Sequence, residues 1–294
     1  MPFGLSTPIP VITMREGPPL ISGRKPDSPR KDCKSGYGRV IASPVMRASA
    51  LLAVLLGFAA AAAAQPTPSV DDVAKRAIDV MAGPAWEKAR YIAFTFNVER
   101  DGKLAASFPQ RWDRYTGNYR VSGQTREGVP FEVVMNVNSR SGHGSQNGTA
   151  VTDPAELAKL LALGYQRFIN DTYWLLMPLK MLDPGVHRAA EGPRNDSCGH
   201  TWDLVKLSFD QGVGLTPGDV YWAWVNRDSG IVDEWDMMLQ SMKPEERPIE
   251  VLFHDYRRFG GLLISTRREM RGKTQLIRLD DIQVSPDVPK GIFE

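Results

Sequence analysis

Cysteine is scarce in this chain, with Cys33 and Cys198 the only two among 294 residues. A framework of several disulfides, such as small secreted domains often use, is therefore excluded. The part of the chain after residue 64 is still long enough to bury a hydrophobic core without such crosslinks. Cys33 lies in a segment that we expect the mature protein to lack, so we expect Cys198 to have no intramolecular partner.

An excess of one charge sign is also lacking, because 36 basic residues face 34 acidic ones. Residues 1–64 hold eight of the basic and three of the acidic residues, which leaves 28 and 31 in the remainder. The remainder thus has a net charge of −3 with neutral histidines. A nucleic-acid-binding domain usually carries a basic stripe with interleaved aromatic residues. The sequence has no such stripe, and we expect no nucleic-acid partner.

Recognisable catalytic and metal motifs are missing as well: neither G-x-S-x-G nor H-E-x-x-H occurs. Cys198 and His200 lie close in sequence, but a zinc site needs three or four ligands and no partner pair has suitable spacing. His254 and Asp255 are neighbours in a predicted strand, so their side chains point to opposite faces. We predict no catalytic residue, no cofactor and no metal site.

Three acidic residues, Asp233, Glu234 and Asp236, could be thought to bind a cation. They surround Trp235 and precede Met237 in a segment predicted to be a strand. Solvated positions on a strand with one wet face explain this pattern more simply. We therefore interpret the three carboxylates as solvent-exposed.

The longest uncharged run of apolar and small residues covers residues 48–64 and follows Arg47. A basic start, an apolar run and small residues at its end, here Ala62 and Ala64, are the parts of a secretory signal peptide. A membrane anchor is the alternative, but the run is rich in alanine and short of the roughly 20 strongly apolar residues that a spanning helix needs. We predict cleavage before Gln65 and a soluble periplasmic protein.

Residues 1–45 are rich in proline and basic residues and show little apolar periodicity. Such a segment buries too little surface to fold. We interpret residues 1–45 as a start-site artefact outside the mature protein, residues 46–64 as the signal peptide, and residues 65–294 as one domain.

Periodicity changes along the predicted domain. Ser69 and Asp72 open an amphipathic helix, and Gly83 ends it. Alternating apolar residues from Tyr91 onward predict an antiparallel meander, and Asp153 begins a second helical stretch. The last third predicts six strands, at about 201–209, 219–227, 231–240, 248–257, 261–271 and 274–284.

The predicted strand at residues 220–225, VYWAWV, is apolar on both faces. A sheet with one wet face alternates apolar and polar residues, so something must cover both faces of this strand. A packed helix or a bound apolar molecule would serve, and plain core packing is the alternative for any single residue. We predict an apolar ligand cavity lined by Phe94, Phe96, Trp174, Met177, Trp222 and Trp224.

Several segments carry a resemblance to a known family. They are Asn170–Pro178 with Asp183–Gly185, Leu215–Asp219 before Tyr221, and Asp255–Arg258 with Gly260 and Gly261. Together they resemble a group of uncharacterised exported bacterial proteins in the LolA/LolB-like lipoprotein-carrier superfamily. The resemblance implies a mostly β (α+β) fold. Such a fold is an unclosed antiparallel β-barrel or strongly curved sheet, with helices covering the concave side.

The same resemblance implies a function. We expect a periplasmic, monomeric binding or carrier protein for a lipid, an acyl chain or another apolar ligand, without catalysis. The expected partners are a lipid or acylated ligand and, if the protein transfers it, a membrane-bound donor or acceptor protein. The alternatives are a structural or partner-binding cell-envelope protein with a filled core and, third, a hydrolase.

Overall fold

The computed structural model describes residues 68–294. The expected signal peptide and the segment before it lie outside these residues. The strands of the described part form one thirteen-stranded antiparallel sheet, in the order β6-β5-β4-β3-β2-β1-β13-β12-β11-β10-β9-β8-β7. Because β6 and β7 are the two edges, the sheet is not closed, and a helix packs on it. The predicted fold class is confirmed.

The strands have the following bounds: β1 Tyr91–Arg100, β2 Lys103–Asp113, β3 Asn118–Gln124, β4 Pro130–Asn136, β5 Ser141–Gln146, β6 Thr149–Ala150, β7 Val186–Asn195, β8 Thr201–Phe209, β9 Val220–Asn226, β10 Val232–Met238, β11 Ile249–Phe259, β12 Leu262–Met270 and β13 Gln275–Ser285. The six strands predicted for the last third are β8 to β13. Strands β5, β6 and β7 were not predicted.

Helix α1 covers Val70–Met81 and is followed by the short helix α2, Ala85–Lys88. The predicted start is confirmed, because the Ser69 hydroxyl accepts from the Asp72 amide while the Asp72 carboxylate accepts from the Ser69 amide. The buried face of α1 packs against the end of the central helical segment and against strands of the second half of the sheet. Helix α1 thus covers one part of the sheet's inner face.

Helix α3, Pro154–Leu176, is the central helix and continues into a 3₁₀ turn, Met177–Lys180. Asp153 caps its first turn by accepting from the amides of Ala155 and Glu156, and Pro154 takes the first helical position, where no amide hydrogen is needed. The helix contacts β3, β4 and β5 and also β12. It therefore lies across the concave side of the sheet.

Candidate functional site

The second half of the central helix is enclosed by the rest of the fold. Every residue from Phe168 to Leu179 is buried, whereas most residues of the first two turns are exposed. The Phe168 ring lies edge-on to Trp112 and to Tyr119, with centroids 5.1 and 5.0 Å away. A helix that is buried on all its sides must be surrounded by apolar surface. The concave side of the sheet supplies that surface.

Aromatic rings form a continuous cluster between helix and sheet. Trp174 of α3 contacts Phe96 of β1 edge-on at 6.5 Å and Trp235 of β10 at 4.9 Å. The Trp235 ring in turn lies 5.5 Å from Tyr173 and 5.1 Å from Tyr221. Edge-on pairs of this kind stabilise by about 0.5–1.5 kcal/mol each beyond their buried area. This aromatic cluster holds the two halves of the sheet to the helix.

Four of the six residues predicted to line a cavity belong to this interior. Phe94, Phe96, Trp174 and Met177 are members of one hydrophobic core and are at most 2 % exposed. Of these four, Phe96 and Trp174 are in direct ring contact. The structure therefore brings together the residues of β1 and of the central helical segment, in a space that the helix itself occupies.

The other two predicted residues, Trp222 and Trp224, lie on the opposite face of the sheet. The inward residues of β9 are Tyr221, Ala223 and Val225, which are buried, while both tryptophans are half-buried. The expectation that all six side chains converge on one space is therefore wrong for these two. Adjacent strand residues point to opposite faces of the sheet. The prediction assigned the tryptophans of β9 to the inner face, whereas the residues next to them in sequence occupy it.

A carboxylate and a neighbouring ring contact Trp224 on the outer face of β9. The Trp224 indole N–H donates to Asp236 at 2.8 Å, and the Trp224 ring lies 6.1 Å from that of Trp202. Trp202 donates to Asp233 at 2.7 Å. These pairings satisfy both indole N–H groups.

The three acidic residues of β10 are less exposed than predicted. Glu234 is 2 % exposed and pairs with Arg271 at 3.2 Å, and one carboxylate oxygen of Asp236 is buried. Asp233 is half-buried beneath its indole donor. The interpretation of all three as solvated positions is therefore corrected. Large tryptophan side chains lying along the outer face shield these carboxylates from water.

A polar network joins the central helix to the sheet. The Asp171 carboxylate is fully buried and accepts from the Gln110 amide at 2.5 Å and from the Asn170 amide at 2.7 Å. Gln110 also accepts from the Tyr119 hydroxyl at 2.6 Å, and Arg167 lies 3.4 Å from Asp171. Burial raises the pKa of Asp171, although the nearby Arg167 opposes that rise. A carboxyl group is thus held in the middle of an apolar joint.

A second buried carboxylate explains one of the motifs behind the family resemblance. Asp219 accepts from the hydroxyls of Thr216 and Tyr221 at 2.8 and 2.6 Å and from the backbone N–H of Gln240 at 2.8 Å. Burial raises the pKa of Asp219. The Thr216-to-Tyr221 segment is therefore a locally satisfied turn that places the Tyr221 ring in the aromatic cluster.

Arg268 of β12 is an interior residue that the sequence reasoning missed. It is 1 % exposed, and its guanidinium carbon lies 4.0 Å from the centroid of the Phe253 ring. Its Nη2 donates to the Ser265 carbonyl at 3.4 Å, while Nε and Nη1 have no hydrogen-bond partner within residues 68–294. Burial lowers the pKa of Arg268 to about 10, so the group stays charged at neutral pH.

A signal for Arg268 was present in the sequence. Leu262, Ile264 and Met270 occupy even-numbered positions of β12 and are all buried. Arg268 shares that parity, so strand alternation alone places it on the inner face. Applying the period of two to charged residues as well as apolar ones would have identified it.

Cys198 lies in an exposed turn after β7, as predicted, and it is disulfide-bonded. The prediction that it has no intramolecular partner concerns the mature protein without Cys33, and so it stays a prediction.

A surface recess of about 420 Å³ is found away from the aromatic cluster. It is lined by Arg90, Asp113, Asn118 and residues of the C-terminal segment 288–294. Arg90 and Asp113 form an ion pair at 2.9 Å there. None of the six predicted cavity residues lines this recess.

Two absences concern the described residues alone. Between residues 68 and 294, no group of three or more His, Cys, Asp or Glu side chains is arranged to hold a metal ion. The same stretch contains no helix that is both long and apolar enough to cross a bilayer.

No family model matches the chain, and no curated protein does. Among solved structures, the chain is similar to a LolA superfamily protein from Nitrosomonas europaea. The two share 10% identity at a TM-score of 0.48, with 78% of this chain and 98% of that chain covered.

MucB is also similar, at 13% identity and a TM-score of 0.25. So is the MucA/MucB complex of Pseudomonas aeruginosa, at 12% identity and a TM-score of 0.25. The chain spans about three fifths of those chains, 62% and 60% respectively. At such identities and TM-scores these likenesses assign no ligand and no partner, so the function is argued from the chain's own residues.

Proposed function

We propose that this protein binds or carries a lipid, an acyl chain or another apolar ligand outside the cytoplasm, without catalysing a reaction. The observation that carries the proposal is an unclosed sheet whose concave side is apolar and is covered by the central helix α3 and, in part, by α1. Phe96, Trp174 and Trp235 line the joint between them. An acyl chain would lie in this joint.

Uptake requires part of the central helix to give way. An acyl chain of about 16 carbons gains about 13 kcal/mol on burial, at about 0.8 kcal/mol per methylene. The loss of translational and rotational freedom on association opposes binding by at least about 4 kcal/mol. The remaining ~9 kcal/mol offsets exposure of about three to six large apolar side chains, at ~1.5–3 kcal/mol each. The ligand therefore displaces one end of the helix rather than the whole of it.

The polar network at Asp171 favours such a movement. Burial of the Asp171 carboxyl group raises its pKa, which means that the ionised carboxylate is disfavoured while the helix lies against the sheet. When the helix moves away from Gln110, water reaches Asp171 and the ionised form is again well solvated. Rehydration of this carboxyl group offsets part of the exposed apolar surface.

A partner-binding envelope protein with a filled core is the second candidate. The observation in its favour is the burial of Phe94, Phe96, Trp174 and Met177, which are at most 2 % exposed beneath the helix. In that case the interior has only a structural role, and binding takes place on the outer surface or at a sheet edge.

Titration with a neutral hydrophobic dye, N-phenyl-1-naphthylamine, distinguishes the two. The full chain is expressed and purified, its organic extract is analysed by mass spectrometry, and the dye is then titrated. We expect copurified apolar molecules and saturable dye binding that an added long-chain alcohol displaces. An empty extract together with no saturable dye binding would contradict the carrier function and favour the filled-core protein.

A further inference from the structure

Arg268 is the feature of the interior that plain packing explains least. It is the one lysine or arginine among the buried residues of the part of the chain that the structure describes. Burying a charged group is unfavourable unless the charge is paired and hydrogen-bonded. Within that part no carboxylate forms an ion pair with Arg268, and its Nε and Nη1 have no hydrogen-bond partner. The fold therefore holds a positive charge whose counter-charge the described residues do not supply.

The position of Arg268 in the sheet relates it to the proposed ligand space. Arg268 pairs with Phe253 of β11 and Ile277 of β13, and Ile277 pairs with Val98 of β1. Phe96 lies two residues from Val98, on the same face of β1. The guanidinium thus lies in the row of inward side chains next to the row that contains Phe96.

Other buried polar atoms of the interior also lack a hydrogen-bond partner within residues 68–294, and most of them are donors. Within residues 68–294 the indole N–H groups of Trp112 and Trp235 have no acceptor, and neither do Nε and Nη1 of Arg268, whereas Oδ1 of Asn170, on the helix, has no donor. Buried polar groups in native proteins are nearly always hydrogen-bonded, so an excess of unpaired donors calls for an acceptor from outside the chain. An anionic group is the strongest such acceptor for a guanidinium.

We infer that Arg268 pairs with the anionic group of an amphiphilic ligand, and that the ligand class is a single-chain amphiphile with one negative charge, such as a long-chain carboxylate. This inference rests on the proposed function. One buried guanidinium neutralises one negative charge, which favours a carboxylate over a doubly charged phosphate monoester. The apolar chain of the ligand lies in the joint near Phe96 while its carboxylate contacts Arg268.

The test compares ligands that differ only in head group. Oleate, oleyl alcohol and oleyl phosphate are each titrated into the full-length protein with displacement of the neutral dye as readout, and acetate is included as an anion without a chain. We expect oleate to bind at least about tenfold more tightly than oleyl alcohol, which corresponds to one buried charge pair. We expect oleyl phosphate to bind no more tightly than oleate, and acetate to show no displacement.

Arg268→Met is the diagnostic variant, because methionine keeps an unbranched side chain without the charge. Arg267→Met is the matched control, since Arg267 is the neighbouring residue and forms ion pairs with Asp255 and Glu269 away from the interior. We expect Arg268→Met to lose the preference for oleate and to keep its affinity for oleyl alcohol within about twofold. We expect Arg267→Met to change neither affinity.

Stability provides a second measurement that does not depend on binding. Replacing a buried, unpaired charge by an apolar side chain of similar length is neutral or stabilising. The denaturant midpoint of ligand-free Arg268→Met should therefore equal or exceed that of the wild type, and oleate should no longer raise it more than oleyl alcohol does. A variant that is unfolded or strongly destabilised would show that the chain itself partners Arg268, which overturns the inference.

The outcomes separate this inference from the proposed function. If oleyl alcohol binds but oleate has no advantage, or keeps its advantage in Arg268→Met, then the charge has no role in recognition while the carrier function stands. If the wild type binds neither chain, the carrier function itself is wrong. Stronger binding of oleyl phosphate than of oleate would overturn the assignment of a single negative charge.

Discussion

At the scale of single residues, the outer face of β10 holds a carboxyl group with an unusual proton affinity. Burial raises the pKa of Asp236 to about 8, and the nearby Glu234 carboxylate contributes to the rise. The Trp224 indole N–H donates to Asp236 at 2.8 Å, and this hydrogen bond partly offsets the rise of the Asp236 pKa. In the folded protein Asp236 is therefore mainly neutral up to about that pH, although an ordinary aspartate ionises near 4.

This shift predicts a pH-dependent stability. Between about pH 4 and pH 8 the folded state binds more protons at Asp236 than the unfolded state, so the free energy of unfolding falls as pH rises through that window. Asp236→Asn should reduce the fall, because the side chain no longer ionises. Urea midpoints measured from about pH 5 to pH 8 test this.

Asp210→Asn serves as the control for the pH series. Asp210 is exposed and bonds the His187 ring at 2.6 Å. This variant should keep the wild-type slope, whereas a slope in Asp236→Asn as steep as that of the wild type would show that Asp236 does not titrate as described. Asp171 and Asp219, whose pKa values are also raised by burial, contribute to the slope that remains, as does His200, whose pKa is raised by its hydrogen bond to Asp196.

The limits of sequence reasoning are also clearest at this scale. Alternation in β9 correctly separates Tyr221 and Ala223 from Trp222 and Trp224, but alternation alone does not say which set faces the helix. Hydrophobicity favours the tryptophans as the inner set. The structure chooses the other set, since Ala223 pairs with the large inward Trp235 and the Trp224 N–H finds a carboxylate outside.

At the scale of elements, the central helix approaches the sheet closely at Gly164. A Cβ at this position would lie 3.1 Å from Cβ of Val133 and 2.7 Å from one of its methyl carbons. Glycine is therefore required by the close approach of α3 to β4. A covalent bond between the Gly164 and Val133 positions would therefore fix the middle of α3 to β4.

A disulfide at this joint should abolish ligand uptake if the helix must move. In Gly164→Cys combined with Val133→Cys, the crowding methyl groups of Val133 are gone and the two Cβ atoms are close to the separation of about 3.5–4.5 Å found in disulfides. The oxidised variant should bind less than about a tenth as much neutral dye as the wild type, and reduction should restore binding.

Two controls accompany the crosslink. Wild-type protein with and without reductant reports any effect of the disulfide at Cys198, and each single-cysteine variant reports the effect of substitution alone. Equal dye binding by the oxidised and reduced double variants would mean that ligand uptake does not require α3 to move away from β4 at Gly164.

Elements with strong local signals were predictable, and those formed by pairing were not. The caps at Ser69 and Asp153 define both main helices before any packing is considered. Edge strand β7, by contrast, contains Gly192 and Pro193 and is mostly exposed. It is a strand because it pairs with β8, and a bulge between Ala190 and Pro193 interrupts that pairing. Such a break also hinders the addition of a further strand at an exposed edge.

At the scale of the whole molecule, the sequence predicts the order of elements better than it predicts the site. The order of helix, strands, helix and strands follows from periodicity and caps, whereas the unclosed sheet with helices on its concave side was implied by the family resemblance. Whether that side holds a ligand or is filled depends on how far the central helix enters. The position of the helix is set by long-range packing, such as Trp174 against Trp235, which no local pattern records.

Export is the last prediction and concerns the whole chain. Arg47, the uncharged residues 48–64 and the small residues Ala62 and Ala64 predict a signal peptide that is cleaved before Gln65. A fusion of residues 46–70 to a reporter that is active only outside the cytoplasm should be active, and the exported product should begin at Gln65 by intact mass. In the same fusion, a large residue before the cleavage site, Ala64→Phe, should leave export intact but block cleavage. In the full chain, Arg267→Met lies far from the signal and should change neither export nor cleavage. A silent reporter, or an exported fusion whose mass still includes residues 46–64, would contradict the predicted cleavable signal peptide.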